Sequence, residues 1–357
     1  MRVITRALAA VLFTIGLANG TLSPTPEDAV IRLENRIGRG EAALDFDGRF
    51  GYLPSLLKEL SINVDSQVLV FSKTSLQRDH ISAESPRAVY FNDEVAVGSV
   101  HDGEIIEILA VQPQGRLNFY SLDIHRSDSP EFQREPKRCG VCHGPAGGMT
   151  VSSVFTNDDG TPFYSGLFDY VDHRTPFENR WGGWYVSGNL GGQSHMGTAL
   201  NGRIEAPKYL APTSDVVALM TLEHQAHMTN LIADVTEGSI GEIVDYMLFV
   251  DEAPLTRPVQ GVSTFTQTFP QHGPRDKRGR SLRDFDLRKR LFRYPLSYMV
   301  YSDAFANIKP ALRTNILQHI SQVLIGADHR PKFDRLSADD RIAILEIARD
   351  TIPGFPQ

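Results

Sequence analysis

The sequence predicts an α+β fold: a β-rich N-terminal third, a loop-rich middle segment and a mainly helical C-terminal third. Three observations predict it. Short runs of β-branched and aromatic residues recur between Gln67 and Leu122, each bounded by turn signals. Positions 126–212 are crowded with Gly, Pro and aromatics and follow neither the strand nor the helix period. Beyond Ser214, apolar residues return at helical spacing behind capping residues.

The elements follow in order. Arg2 and Arg6 precede the apolar run 7–18, which is too short to span a bilayer comfortably, and Ala18-Asn19-Gly20 offers small residues where a signal peptidase cuts. Residues 1–20 therefore read as a signal peptide cleaved after Gly20, placing the mature chain in the periplasm or otherwise outside the cytoplasm; an uncleaved anchor is the alternative. The region 21–125 opens with a helix entry at Pro24-Thr25-Pro26-Glu27 and a second short helix over 53–60. Strands are expected over 68–71, 88–91, 95–100, 105–111 and 117–122, in an antiparallel meander turning at Asn92-Asp93, Asp102-Gly103 and Gln114-Gly115. The region 126–357 stays loop-rich to 212, a length that calls for a reason such as packing around a cofactor. Helices follow over 215–235, capped by Thr213 or Ser214, and over 281–290, 311–326 and 337–352.

Composition narrows the function. Hydrophobic residues make up 41% and charged residues 22%, the balance of a globular chain and not of a disordered one. The formal charge of −7 and the lack of a basic stripe with interleaved aromatics argue against a nucleic-acid partner. No stretch after the leader is apolar and long enough to span a bilayer, so membrane contact is expected to be peripheral or none. No G-x-G-x-x-G or G-x-x-x-x-G-K-[ST] run announces a nucleotide.

The chemistry concentrates in Cys139-Gly140-Val141-Cys142-His143, which holds both cysteines of the chain. C-x-x-C-H is the attachment signature of c-type haem. Each thiol adds across one vinyl group, two intervening residues let both reach the same ring edge, and the adjacent histidine falls beneath the iron as its proximal ligand. Three rivals are weaker. A thioredoxin-like dithiol normally follows a strand, and Glu135-Pro136-Lys137-Arg138 reads as a turn with no strand before it. A structural zinc site needs four ligands and no second Cys pair exists. A disulfide across two residues closes too small a loop to stabilise much.

The residues after the motif, His143-Gly144-Pro145-Ala146-Gly147-Gly148, resemble a run found in many small members of the cytochrome c superfamily, whose glycines let the backbone lie against the haem edge. That likeness covers about 137–149. A wider one rests on Arg87-Ala-Val-Tyr-Phe-Asn-Asp, Asp169 to Arg174 with Pro176, Arg180-Trp-Gly-Gly-Trp-Tyr-Val, His195-Met196-Gly197, Glu223-His224-Gln225 and Leu291-Phe-Arg-Tyr-Pro-Leu-Ser-Tyr. These segments resemble a group of exported bacterial proteins described as cytochrome c domain-containing. The resemblance implies one covalent haem and export, and implies no substrate.

The ligand opposite His143 decides the chemistry: a thioether suits electron transfer, an open position permits peroxide or oxygen reactions. His195 and Met196, in a Gly-rich loop, are the first candidates, and His224 is the next. Met149 lies so close in sequence to His143 that reaching the opposite face looks strained. His227, three residues after His224, shares its helix face, and Met220 and Met228 read as core filler. Arg174, Arg180, Trp181 and Trp184 are candidates to hold the propionates and wall the pocket. His173 and Arg174 are the candidate catalytic pair should the protein cleave peroxide; a buried aromatic core with Asp172 ion-paired to arginine is the structural reading of the same cluster. The sequence thus points to one-electron transfer by a monohaem iron protein working with an unidentified redox partner. A haem-dependent peroxidase or oxidase, or a haem-based sensor or binding module, is the alternative.

Overall fold

The computed structural model describes residues 27–143, 148–157, 159–163, 169–200 and 208–357, the side chains of residues 141, 142 and 169 excepted. The expected signal peptide and its cleavage site lie outside the described residues. The fold is α+β. The chain begins with α1 (Ala29–Gly38) and α2 (Leu53–Glu59), then runs through β1 (Val68–Val70), β2 (Arg87–Phe91), β3 (Val95–Val100), β4 (Ile105–Val111), β5 (Leu117–Asp123) and β6 (Phe132–Arg134). These six strands form one antiparallel sheet in sequence order, the meander expected from the turn signals.

Alternation along the strands sends residues to two cores. Tyr90, Val97, Ile106, Ile108, Tyr120 and Leu122 face α1 and α2 and pack with Val30, Leu33, Leu56 and Leu57. Val89, Phe91 and Val111 point the other way and join the core built by the C-terminal helices. That core therefore draws on both regions of the chain. Asp28 fixes the first layer: one carboxylate oxygen caps α1 by accepting from the backbone N–H groups of Val30 and Ile31, and the other accepts from Tyr120 at 2.7 Å.

Beyond the sheet come α3 (Pro136–His143), the short strands β7 (Ser152–Ser153), β8 (Asp169–Tyr170), β9 (Tyr185–Val186) and β10 (Thr198–Ala199), and then α4 (Val216–Ala233). Helix α4 shows no distinct polar face and is buried over most of its length, Glu223, His224 and Gln225 included. Its cap is Asp215, whose carboxylate accepts from the N–H groups of Val217 and Ala218, one residue beyond the expected Thr213 or Ser214. Around it stand α5 (Ile240–Met247), α6 (Phe265–Thr268), α7 (Asp303–Ala306), α8 (Pro310–Leu324) and α9 (Ala338–Thr351). The helix expected over 281–290 is absent: this stretch is turns, with the Asp276, Asp284 and Asp286 carboxylates accepting from nearby backbone N–H groups. Such side-chain competition for the backbone disfavours helix. Among the described residues no helix is long and apolar enough to cross a membrane.

Candidate functional site

The cysteine-histidine motif lies on a helix. Pro136 occupies a first-turn position of α3, where its missing N–H costs nothing, and β6 ends two residues earlier. The expectation that no strand precedes the motif is thus corrected; the β-rich run Phe132-Gln133-Arg134 is short, and Pro136 reads as a turn until its helix is seen. Helix α3 is tied to β5, with Ser121 donating to the Glu135 carboxylate at 2.9 Å and the Glu135 N–H donating to the Phe119 carbonyl at 2.9 Å.

His143 is oriented by a backbone carbonyl. Its Nδ1 donates to the Gly148 carbonyl at 2.8 Å, because a carbonyl can only accept. In the neutral ring this leaves Nε2 with the lone pair, and burial holds the imidazole below the ordinary histidine value. The Phe119 ring packs against it, centroids 4.7 Å apart. Asn230 of α4 clasps the backbone of Met149, accepting from its N–H and donating to its carbonyl, both at 2.7 Å.

His143 and Cys139 share the wall of a cavity of about 520 Å³. This size falls within the range of small-molecule and cofactor pockets, about 300–1,000 Å³. One face of the sheet supplies Val89, Ala96, Gly98, Leu109 and Phe119; Met149, Val151, Trp184 and Leu222 face them. Gly98 sits mid-strand, where glycine weakens a sheet and often marks close approach of a ligand. A Cβ there would stand 3.3 Å from Glu107 Oε2 and 3.4 Å from Arg87 Cδ. Arg87 pairs with Glu107 at 2.9 Å, and Glu107 also accepts from the Ser75 hydroxyl and the Leu76 N–H. Lys73, Arg78 and Arg138 add three further cations to the lining. The wall thus carries an imidazole held by its second nitrogen, a thiol residue one helical turn before it, apolar surface and basic groups. That donor set fits a flat, largely apolar cofactor bearing acidic substituents and a metal.

Of the expected pocket residues, only Trp184 joins this wall, its Nε1 donating to the Ser152 carbonyl at 2.8 Å. Arg180, Trp181 and Arg174 are placed elsewhere. Arg180 is buried and spends its guanidinium on the carbonyls of Thr175 and His173 and on Glu223, with which it pairs at 2.9 Å. Trp181 is buried without exposure, its ring edge-on to Phe177. Arg174 pairs with Asp172 at 2.6 Å and stacks over Tyr246. A propionate-binding role for these arginines is corrected on that ground, and it is the structural reading that holds for Asp172.

The candidate ligands and catalytic residues are likewise redistributed. His173 and His224 meet Nδ1 to Nδ1 at 2.8 Å inside the core, and His224 Nε2 bonds the Ser297 hydroxyl at 2.7 Å. Both of the nitrogens of His224 are spent. Burial depresses both histidines, His224 down to about 3. Neither faces the cavity, so the placement of His224 opposite His143 and the pairing of His173 with Arg174 at a reacting centre are both corrected. His195 packs edge-on to Trp181, and Met196 accepts from the Ser153 hydroxyl at 3.6 Å; neither lines the cavity. The thioether that does is Met149. Sequence reasoning missed Arg87, Glu107 and Gly98. Their signal was present: charged or absent side chains at positions where strand alternation should place apolar ones.

Cys142 and the glycines of 144–147 lie outside the described side chains and residues. Among the described residues, no three His, Cys, Asp or Glu side chains converge as a metal site. No family model matches the chain, and neither a curated protein nor a solved structure matches it.

Proposed function

We propose that the chain is an exported protein carrying one c-type haem, held through Cys139, Cys142 and His143, and that it passes single electrons. The observation that carries this reading is His143: its Nδ1 is committed to the Gly148 carbonyl while its ring lines a cofactor-sized cavity shared with Cys139. Haem iron so held would supply a one-electron couple. The residues of this chain do the rest. The Gly148 carbonyl fixes the tautomer and aim of His143. The sheet face and Val151, Trp184 and Leu222 exclude water from an apolar slot. Arg78 offers counter-charge to acidic substituents, Arg87, Lys73 and Arg138 being already paired with Glu107, Asp159 and Glu135. Met149, which lines the cavity where Met196 does not, takes the place of Met196 as the thioether that would bind the iron.

The test is the absorption spectrum of protein exported with cytochrome c maturation, oxidised and dithionite-reduced, with and without CO. Electron transfer with Met149 bound requires a six-coordinate spectrum that CO leaves unchanged and that Met149→Leu alters. A CO-bound spectrum in the unmodified protein would overturn the electron-transfer reading in favour of an open site for peroxide or oxygen. Chain recovered free of haem would overturn the whole proposal and leave Cys139 and Cys142 to be tested as a dithiol.

A further inference from the structure

A second cavity, of about 250 Å³, shares no lining residue with the first. It lies where the 3-10 turn Val64–Ser66, the β2–β3 turn and α6 meet, and it is walled by Phe91, Phe265 and Phe269. Asp65 lines it and is 8% exposed. Its Oδ2 accepts from the hydroxyls of Thr264 and Thr268, both at 2.7 Å, whereas Oδ1 is buried with no hydrogen-bond partner among the described residues. No Lys, Arg or His among them pairs with this carboxylate, although the other charged groups of the pocket are matched. Asp93 is paired with Arg283, and Glu94 with Arg32.

A buried carboxylate with one oxygen unsatisfied and no counter-charge is costly, and it stabilises a cation brought beside it. Aromatic faces nearby attract the same charge. The structure already uses that chemistry at the cavity edge, where the Arg283 guanidinium lies 4.8 Å from the Phe269 ring centroid and 4.4 Å from that of Tyr298. Because Arg283 is neutralised by Asp93, a ligand anion has no free partner there, which favours a plain ammonium over a zwitterion. The volume is below that of pockets for drug-sized ligands, so the occupant is small. We propose that this cavity is a binding site for a small organic ammonium ion, with Asp65 as its counter-ion and Phe91, Phe265 and Phe269 as its walls.

The probe is n-butylammonium, titrated calorimetrically into the full exported chain, with n-butanol as the neutral counterpart and the visible spectrum recorded throughout. Butylammonium should bind and n-butanol should bind at least tenfold more weakly, with no change in any haem band. Asp65→Asn should lower the ammonium affinity about tenfold or more, as loss of a charged hydrogen bond does. Equal binding of the two compounds to the unmodified chain overturns the proposal without reliance on any variant. So does binding that shifts the visible spectrum and survives Asp65→Asn, which would place the amine at iron, and so does absence of ammonium binding. The contrast between butylammonium and n-butanol and the effect of Asp65→Asn are read by calorimetry alone, so their failure is distinct from failure of the haem reading.

Discussion

Two histidine environments in this molecule differ in one respect. His143 spends one ring nitrogen on a backbone carbonyl and lies on the wall of an open cavity. His173 and His224 spend nitrogens on each other, and His224 bonds Ser297 as well, inside a stack of Tyr246 and Phe249 rings. All three are buried or half-buried and all three are depressed by burial. Burial and a shifted titration therefore do not separate a ligand from a structural pair. Access to the cavity does: His173 also keeps a ring nitrogen without a partner among the described residues, but it is enclosed in the core, whereas the His143 ring lines the cavity.

The largest effect is expected at the motif. Replacing Cys139 and Cys142 together by Ser should abolish covalent haem, read as colour lost into acidified acetone, while the same protein keeps its circular dichroism. If haem stays covalently bound, the first environment has been misread. The next largest effect belongs to the buried cluster. Glu223→Ala strands Arg180 in the core and should cost about 3–5 kcal/mol in denaturant unfolding. The folded fraction should keep an unchanged haem spectrum, since Arg180 does not face the cavity.

The histidine pair also sets a pH signature. His224 titrates near 3 when folded against 6.5 ordinarily, so its contribution to stability is complete above about pH 6.5 and is lost as pH falls toward 3. Glu223 acts oppositely: burial raises it from 4.5 to about 7, so its contribution is present below about pH 4.5 and is lost as pH rises through 7. The two slopes oppose each other between pH 4.5 and 6.5. Relative to the unmodified chain, His224→Gln should therefore gain about 2 kcal/mol on going from pH 6.5 to 5. Urea unfolding at the two pH values checks it; a constant difference would mean that His224 is not held neutral. The smallest effect sharpens the first environment. Asn230→Ala removes both bonds to Met149 and should cost about 1–2 kcal/mol. A change in the reduced spectrum alongside would show that α4 positions the Met149 thioether.

Much of the fold was legible because strand alternation and turn residues are local. The expected strands 95–100 and 105–111 coincide with β3 and β4, and the helix expected over 337–352 is α9, which Ser337 and Asp340 cap reciprocally. The helix expected over 281–290 failed because carboxylates compete for its backbone, and α5 went unread between Val235 and a loop. The site was legible only along the chain. Cys139 and His143 announce themselves by spacing, but the wall opposite them comes from a sheet whose lining residues, Val89 and Phe119 among them, lie well before the motif in the chain. Strand pairing alone brings Gly98 level with Glu107 and Val89. Arg180 and His224 misled for the complementary reason: polar residues near aromatics suggest a pocket equally when they are partners of each other in a core.

The most direct test of the central claim is the intact mass of the exported chain after acid-acetone extraction. The account predicts a single species heavier than the polypeptide by one haem, with the attachment mapped to a peptide containing Cys139 and Cys142. A mass equal to that of the bare polypeptide, from cells that mature other c-type cytochromes, would contradict it.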